Sequence, residues 1–293
     1  MYMINKIAIT GGTHGNELTG VYLIKKWQKQ PNLVHRENFE TLLIHTNPKA
    51  IKACRRYIDK DLNRSFQTSQ LNEKHDHYEG KRASELNAIL GPKGSENPQV
   101  DFIVDLHSTT ANMGLSLVVS SQSSLTWDAV RYLCAKEPKL HVYRWMGDEE
   151  DAFVDSIAPN GFAIEVGAIP QGVLRADLFT QTTQLIYHLL DFIQMYNNHE
   201  TILTNQNPIE IYDHVKLLDY PRDENGDITA MIHEQRQDRD YQKITKGDPL
   251  FYTLDEKTIC YEEEEPLYPL FINEAAYYEK GFAMCLTRKI TLT

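Results

Sequence analysis

Apolar and polar positions follow two rhythms along the first two thirds of the chain. Short apolar runs predict strands, and apolar residues three and four apart predict helices. Residues 6–10 read as a first strand, and 17–29 as a helix with Val21, Ile24 and Trp27 on one side, ended by Pro31. Residues 39–45 predict a second strand. A helix is expected to start near Pro48, and another over 78–90 stops at Gly91-Pro92. The run 100–106 predicts a buried strand, followed by strands at Leu115–Ser120, His141–Trp145 and Gly161–Val166. A helix is predicted over 124–136. A longer one over 177–196 carries Leu178, Leu185, Leu189, Phe192 and Ile193. Strands alternating with helices are the pattern of an α/β fold.

The rhythm changes after Asn205-Gln206-Asn207-Pro208. Residues 209–220 read as a strand. Glu224-Asn225-Gly226-Asp227 carries the Asn-Gly signal of a tight hairpin. Short β-like runs continue to Thr293, with a further turn at Gly247-Asp248-Pro249. This predicts a larger domain over 1–207 and a smaller β-rich one over 208–293. The acidic run Glu262–Glu265 is expected to be a solvated loop. No internal repeat is visible.

Composition narrows the class of function. The 293 residues are 41% hydrophobic and 24% charged, an ordinary globular profile with enough length for a sizeable core. A formal charge of -11 and a sequence pI near 5.5 argue against nucleic-acid or acidic-membrane partners. An anionic ligand would need a locally basic pocket. The N-terminus lacks a basic segment followed by an apolar one, so no signal peptide is expected. No apolar run approaches the roughly 18 residues of a membrane span. Cys54, Cys134, Cys260 and Cys285 form no C-x-x-C and read as reduced thiols of a cytoplasmic protein. A homodimer is the ordinary expectation for a soluble globular protein of this kind.

The candidate chemistry sits where the strands end. His14 and Glu17 follow the first strand in Gly-Gly-Thr-His-Gly-Asn-Glu, and offer a nitrogen and an oxygen ligand to a metal such as zinc. A phosphate cradle is the weaker reading of that turn, because no Gly-Lys-Ser/Thr follows and the loop is acidic. A catalytic zinc takes three protein ligands, and His107 follows the strand 100–106. Glu165 closes the strand 161–166, where a buried carboxylate needs a partner or a purpose. In α/β sheets, sites form at the carboxyl ends of strands. Asp105, two residues before His107, is placed to orient it. The segment 55–64 is dense in charge. It reads either as a solvated loop or as a source of arginines for a carboxylate or carbonyl. Position 237 is Gln, so His233-Glu234 is no H-E-x-x-H zinc motif. His75 and His77 are expected to face solvent. No G-x-S-x-G elbow is present.

The segments 11–20, 56–64, 105–114, 165–177, 219–226 and 273–280 together resemble the aspartoacylase branch of the succinylglutamate desuccinylase/aspartoacylase family. The resemblance runs through nearly the whole chain. It implies a zinc-carboxypeptidase-like mixed sheet flanked by helices, with a smaller β-rich C-terminal domain that narrows access to the site. It implies one Zn2+ per subunit on His14, Glu17 and His107, with Glu165 as general base and Arg56 polarising the scissile carbonyl. Asn63 and Arg64 match positions that hold substrate carboxylates, and Tyr277 matches a substrate-contacting tyrosine. The expected reaction is hydrolysis of a small anionic N-acyl amino acid, N-acetyl-L-aspartate first. An aromatic or succinylated substrate is the nearest alternative, and a non-catalytic metal-binding protein a more distant one.

Two departures bear on the substrate. The family's aspartoacylases carry a Tyr and an Arg shortly before the base. Those places hold Asp151 and Asp155 here, amid Asp148-Glu149-Glu150. Acidic groups there would repel a dianion, and Arg144 is the arginine that could stand in for the missing one. A Lys-Lys pair of the family is Lys280-Gly281 in this chain.

Overall fold

The computed structural model describes residues 3–146, 150–200 and 208–293. A nine-stranded mixed sheet runs through the molecule in the order β11-β12-β7-β5-β4-β6-β3-β1-β2. Its strands are β1 (Lys6–Gly11), β2 (Glu40–His45), β3 (Phe102–Ser108), β4 (Gly114–Val119), β5 (His141–Arg144), β6 (Asn160–Gly167), β7 (Ile209–Leu218), β11 (Tyr268–Leu270) and β12 (Met284–Leu292). Three shorter strands, β8 (Ala230–Ile232), β9 (Pro249–Thr253) and β10 (Thr258–Cys260), form a separate antiparallel sheet. The helices are α1 (Leu18–Lys29), α2 (Pro48–Ala53), α3 (Thr68–Leu71), α4 (Tyr78–Leu90), α5 (Ser124–Lys136) and α6 (Ala176–Asn197).

The two-residue repeat of a strand sorts each segment onto two faces. Ile7 and Ile9, Phe102, Val104 and Leu106, Leu117 and Val119, and Phe162 and Ile164 join one core with apolar residues of α1, α5 and α6. The alternate positions take the other face. There Ala8 and Ile103 pack under Leu86 and Leu90 of α4. Further along the same phase stand Thr10, Asp105, His107 and Glu165. The chemistry-bearing residues are therefore the polar phase of strands whose apolar phase is the core.

The α4 and α5 boundaries match the sequence pattern, and Trp27 is fully buried on the inner side of α1. The strand expected at 100–106 runs instead from Phe102 to Ser108 and contains His107. The ladder to β6 continues through His107↔Glu165 and Ser108↔Val166, so backbone pairing extends the strand past its apolar run. Glu17 stands just before α1 with φ -89 and ψ 82, outside the helix predicted to include it.

The C-terminal region is β-rich as expected. Yet β7 pairs in parallel with β5 through Tyr143↔Tyr212 and Arg144↔Asp213, and β12 and β11 follow it. Half of its strands thus extend the main sheet. The expected boundary at 207/208 adjoins 201–207, which lie outside the described residues, as do Asp148 and Glu149. The 224–227 turn forms, with Gly226 at φ +86 and Asp223 N–H donating to the Asp227 carbonyl at 2.9 Å. Residues 262–265 are exposed, with Glu263, Glu264 and Glu265 paired to Lys216, Lys246 and Arg288. No described helix is long and apolar enough to cross a membrane.

Candidate active site

The turn after β1 depends on close backbone packing. A Cβ on Gly15 would stand 2.0 Å from the Ala50 carbonyl carbon, and Gly12 sits at φ +75. Gly15 N–H donates to the Arg56 carbonyl at 3.2 Å, which ties the His14 turn to the loop after α2. Asn47 caps α2 through the Ala50 N–H and so fixes where the helix before that loop begins.

These contacts bring His14, Glu17 and His107 together. One ligand atom from each lies within 4.8 Å of the others, and all three residues are buried. Glu17 Oε1 is 2.6 Å from His14 Nδ1, and Glu17 Oε2 is 2.9 Å from His107 Nδ1. The two Nδ1 atoms stand 3.2 Å apart. Each imidazole turns its Nε2 to another carboxylate. His14 Nε2 meets Asp61 Oδ1 at 3.0 Å, and His107 Nε2 meets Asp105 Oδ2 at 2.6 Å. Asp105 also accepts from Thr10 and Thr13 hydroxyls at 2.7 and 2.9 Å. A proton held at Nε2 by a carboxylate leaves the Nδ1 lone pair free. Two such lone pairs and a carboxylate converging on one point fit a cation. Burial opposes ionisation of Glu17, but His14 and His107 outweigh it and hold its carboxyl far below the usual range. Asp61 is likewise held low against burial by His14 and Arg56.

Arg56 lies against this cluster, with Nη1 3.3 Å from Glu17 Oε1 and Nη2 3.2 Å from Asp61 Oδ2. Glu165 stands beside His107 in register on the neighbouring strand. Its Oε2 is buried and has no hydrogen-bond partner among the described residues. Burial pushes its carboxyl up to about 8, against the pull of His107 and with help from Glu17 and Glu274. His14, Glu17, Arg56, His107 and Glu165 line a cavity of about 600 Å³. Asn63, Arg64, Tyr277 and Lys280 line it too, so every site residue expected from the sequence reaches one chamber. Asn63 Oδ1 accepts the Val154 N–H at 3.0 Å. Arg64 lies over the Phe153 ring at 4.9 Å.

Apart from Tyr277, the chamber's far wall had no counterpart in the sequence reading. It consists of Tyr143, Trp145, Phe153, Phe271, Tyr277 and Phe282, with His214 beside Trp145. Tyr143 OH pairs with His214 Nδ1 at 2.9 Å. Glu274, also missed, joins the wall to the loop after β3. Its Oε2 accepts from both the N–H and the hydroxyl of Thr110, at 2.6 and 3.0 Å, and from the Thr109 hydroxyl. Its place in the segment 273–280 was the available signal.

Two expectations need correction. Arg144 does not stand in for the missing arginine: it grips Asp213 with Nε–Oδ1 and Nη2–Oδ2 distances of 2.7 and 2.8 Å, outside the chamber lining. His75 and His77 are half-buried rather than solvent-facing, and His77 Nδ1 caps α4 by accepting the Gly80 N–H. The two replacement aspartates part company. Asp151 is outside the chamber, paired to Lys93, whereas Asp155 is buried and lines it.

Known proteins share this arrangement. The succinylglutamate desuccinylase/aspartoacylase catalytic domain matches residues 3–193, and the AstE/AspA barrel-sandwich hybrid domain matches residues 207–289. A probable aspartoacylase of Trichodesmium erythraeum is 50% identical, over 99% of this chain and 98% of its own. The human N-acyl-aromatic-L-amino acid amidohydrolase (carboxylate-forming) is 43% identical, over 99% and 92%. The crystal structure of murine aminoacylase 3 superposes with a TM-score of 0.92 at 40% identity, covering 100% of this chain and 97% of that one. The chain belongs to the succinylglutamate desuccinylase/aspartoacylase family.

Proposed function

We propose that this protein is a zinc-dependent hydrolase of N-acyl amino acids that favours aromatic side chains. The observation that carries the substrate reading is the chamber itself: an aromatic wall faces the ligand cluster, and a buried aspartate replaces the arginine expected for a second substrate carboxylate. Its volume falls within the roughly 300–1,000 Å³ of small-molecule sites.

His14, Glu17 and His107 would hold the zinc. Bound there, it would act as a Lewis acid, lower the pKa of its water toward about 7, and favour the ionised form of Glu165. Glu165 takes the proton of the attacking water on its carboxylate and passes it to the departing amine nitrogen. The unpaired Oε2 suits that task, since no existing bond must break first. Arg56, kept charged by Asp61 and Glu17, stabilises negative charge developing on the carbonyl oxygen. Arg64 and Asn63 hold the α-carboxylate. Among the described residues the Asn63 side-chain NH2 has no partner, because its oxygen alone is used to fix Val154. Water adds across the amide, giving a carboxylate and a free amino acid.

N-acetyl-L-aspartate remains the second reading, favoured by Arg64 and Lys280 in the chamber and by the relatives described as probable aspartoacylases. Steady-state kinetics on N-acetyl-L-phenylalanine, N-acetyl-L-tyrosine and N-acetyl-L-aspartate test the choice. A higher kcat/KM for the aromatic substrates is expected. Preference for N-acetyl-L-aspartate would reverse it.

A further inference from the structure

Asp155 has no evident duty in the proposed mechanism. It sits on the short helical turn Val154–Ile157, which packs on β3 and β6. Asn63 fixes this turn through the Val154 N–H, so Asp155 is set close to the pair that holds the α-carboxylate. A Cβ on Gly161 would come within 3.4 Å of the Asp155 Cβ, so glycine there makes room for it. Asp155 is buried, at 6% exposure, and among the described residues its carboxylate accepts from its own backbone N–H but from no other residue. It lines the chamber together with Val118, Phe153 and Ala163, which offer no side-chain donor, and with Ser120, which offers a hydroxyl.

A desolvated carboxyl with no partner beyond its own backbone N–H is costly. Burial first, then the nearby Asp105, pushes this one up to about 7. A purely apolar ring entering the chamber would strip its remaining water and return nothing. A ring with an O–H at its tip would return a hydrogen bond. The phenol of tyrosine, with a pKa near 10, keeps that proton at neutral pH.

Building on the reading of the chamber as an aromatic deacylase site, we propose that Asp155 is a specificity-determining residue that accepts a hydrogen bond from the substrate's side chain and so selects N-acyl-tyrosine over N-acyl-phenylalanine. The carboxylate that repels an aspartate side chain serves as acceptor for a phenol. Selection arises because a site built around a buried acceptor discriminates against an analogue that leaves it unpaired.

The test compares kcat/KM for N-acetyl-L-tyrosine and N-acetyl-4-fluoro-L-phenylalanine, which is close in shape but lacks the donor. The zinc-loaded protein and its Asp155→Ala and Asp155→Asn variants are measured, with melting curves and zinc content checking that each is folded and loaded. The parent enzyme is expected to prefer tyrosine by about ten-fold, the scale of one unmet buried acceptor. Asp155→Ala should bring the ratio near one, and Asp155→Asn, which keeps a carbonyl acceptor, should fall between. A parent ratio near one, or one unchanged in both variants, overturns the proposal. Turnover of N-acetyl-L-aspartate with neither aromatic substrate cleaved would instead overturn the aromatic reading, and this inference with it. A variant that fails to fold leaves the parent ratio and the other variant to decide.

Discussion

The two ends of the chamber are built on different principles. At the ligand end, beside β1, β3 and β6, charge and hydrogen bonds interlock. His14, Glu17 and His107 touch one another, Asp61 and Asp105 hold the two imidazoles from behind, and Arg56 flanks Glu17 on the chamber side. At the far wall, on β5, β7 and residues 271–285, rings pack against rings at centroid distances of 4.1–6.4 Å. Polar groups are sparse there, and Trp145 Nε1 is buried without a partner among the described residues. An interlocked cluster fixes one geometry and fails as a unit. An aromatic wall fixes a shape, and changing one ring alters that shape by degrees. Bond-making chemistry thus belongs to the first end and selection by shape to the second.

Substitutions ranked by their expected effect on turnover probe this division. The largest loss is expected for His107→Ala, which should abolish both stoichiometric zinc and turnover. A full equivalent of metal by elemental analysis would remove His107 from the ligand set. Glu165→Ala should keep the metal and lower kcat by about 10²–10⁴-fold, the range of general acid–base catalysis. Unchanged kcat in that variant would require another base. Asp105→Ala should weaken zinc affinity by about 10–100-fold in a chelator competition, because His107 loses the partner that orients it. If affinity holds, the ligand end is less interdependent than its bonds imply.

At the far wall the effects should be graded. Phe153→Ala should lower kcat/KM for N-acetyl-L-phenylalanine by about 3- to 10-fold, the worth of one aromatic contact. A loss as deep as that of Glu165→Ala would blur the distinction between the two ends.

The seam between the ends should respond in stability rather than turnover. Asp240 accepts the Ile272 N–H at 3.0 Å and the Asn112 N–H at 3.2 Å, and burial pushes its carboxyl up to about 7. A raised carboxyl stabilises the fold below the unfolded pKa near 3.8, and that contribution disappears as pH rises through about 7. The Tm advantage of the parent over Asp240→Asn should therefore narrow between pH 5 and pH 8. A constant gap would show that Asp240 carries no such shift.

The same division explains what was legible in the sequence. His107 and Glu165 stand out because each is a polar residue at the end of an apolar strand, and the strand repeat puts both on one face. Helices α4 and α5 are bounded by local signals, Gly91-Pro92 among them. The aromatic wall draws on β5, β7, the turn around Phe153 and residues 271–285, so no short window holds its pattern. Asp61 looked like one charge among several in 55–64, and only the fold turns it toward His14. Asp155 could be named from the sequence, but its burial and the exposure of Asp151 depend on how the turn at 154–157 packs. Arg144 was misplaced because its partner, Asp213, lies 69 residues away on a strand joined to its own.

The pairing of β5 with β7 also bears on how a substrate gets in. Because the two regions share one sheet, parting them like jaws would tear backbone hydrogen bonds between adjoining strands, each costly to leave unmet in the interior. Exchange with the chamber then falls to its rim, where side chains and loops can yield without unzipping the sheet.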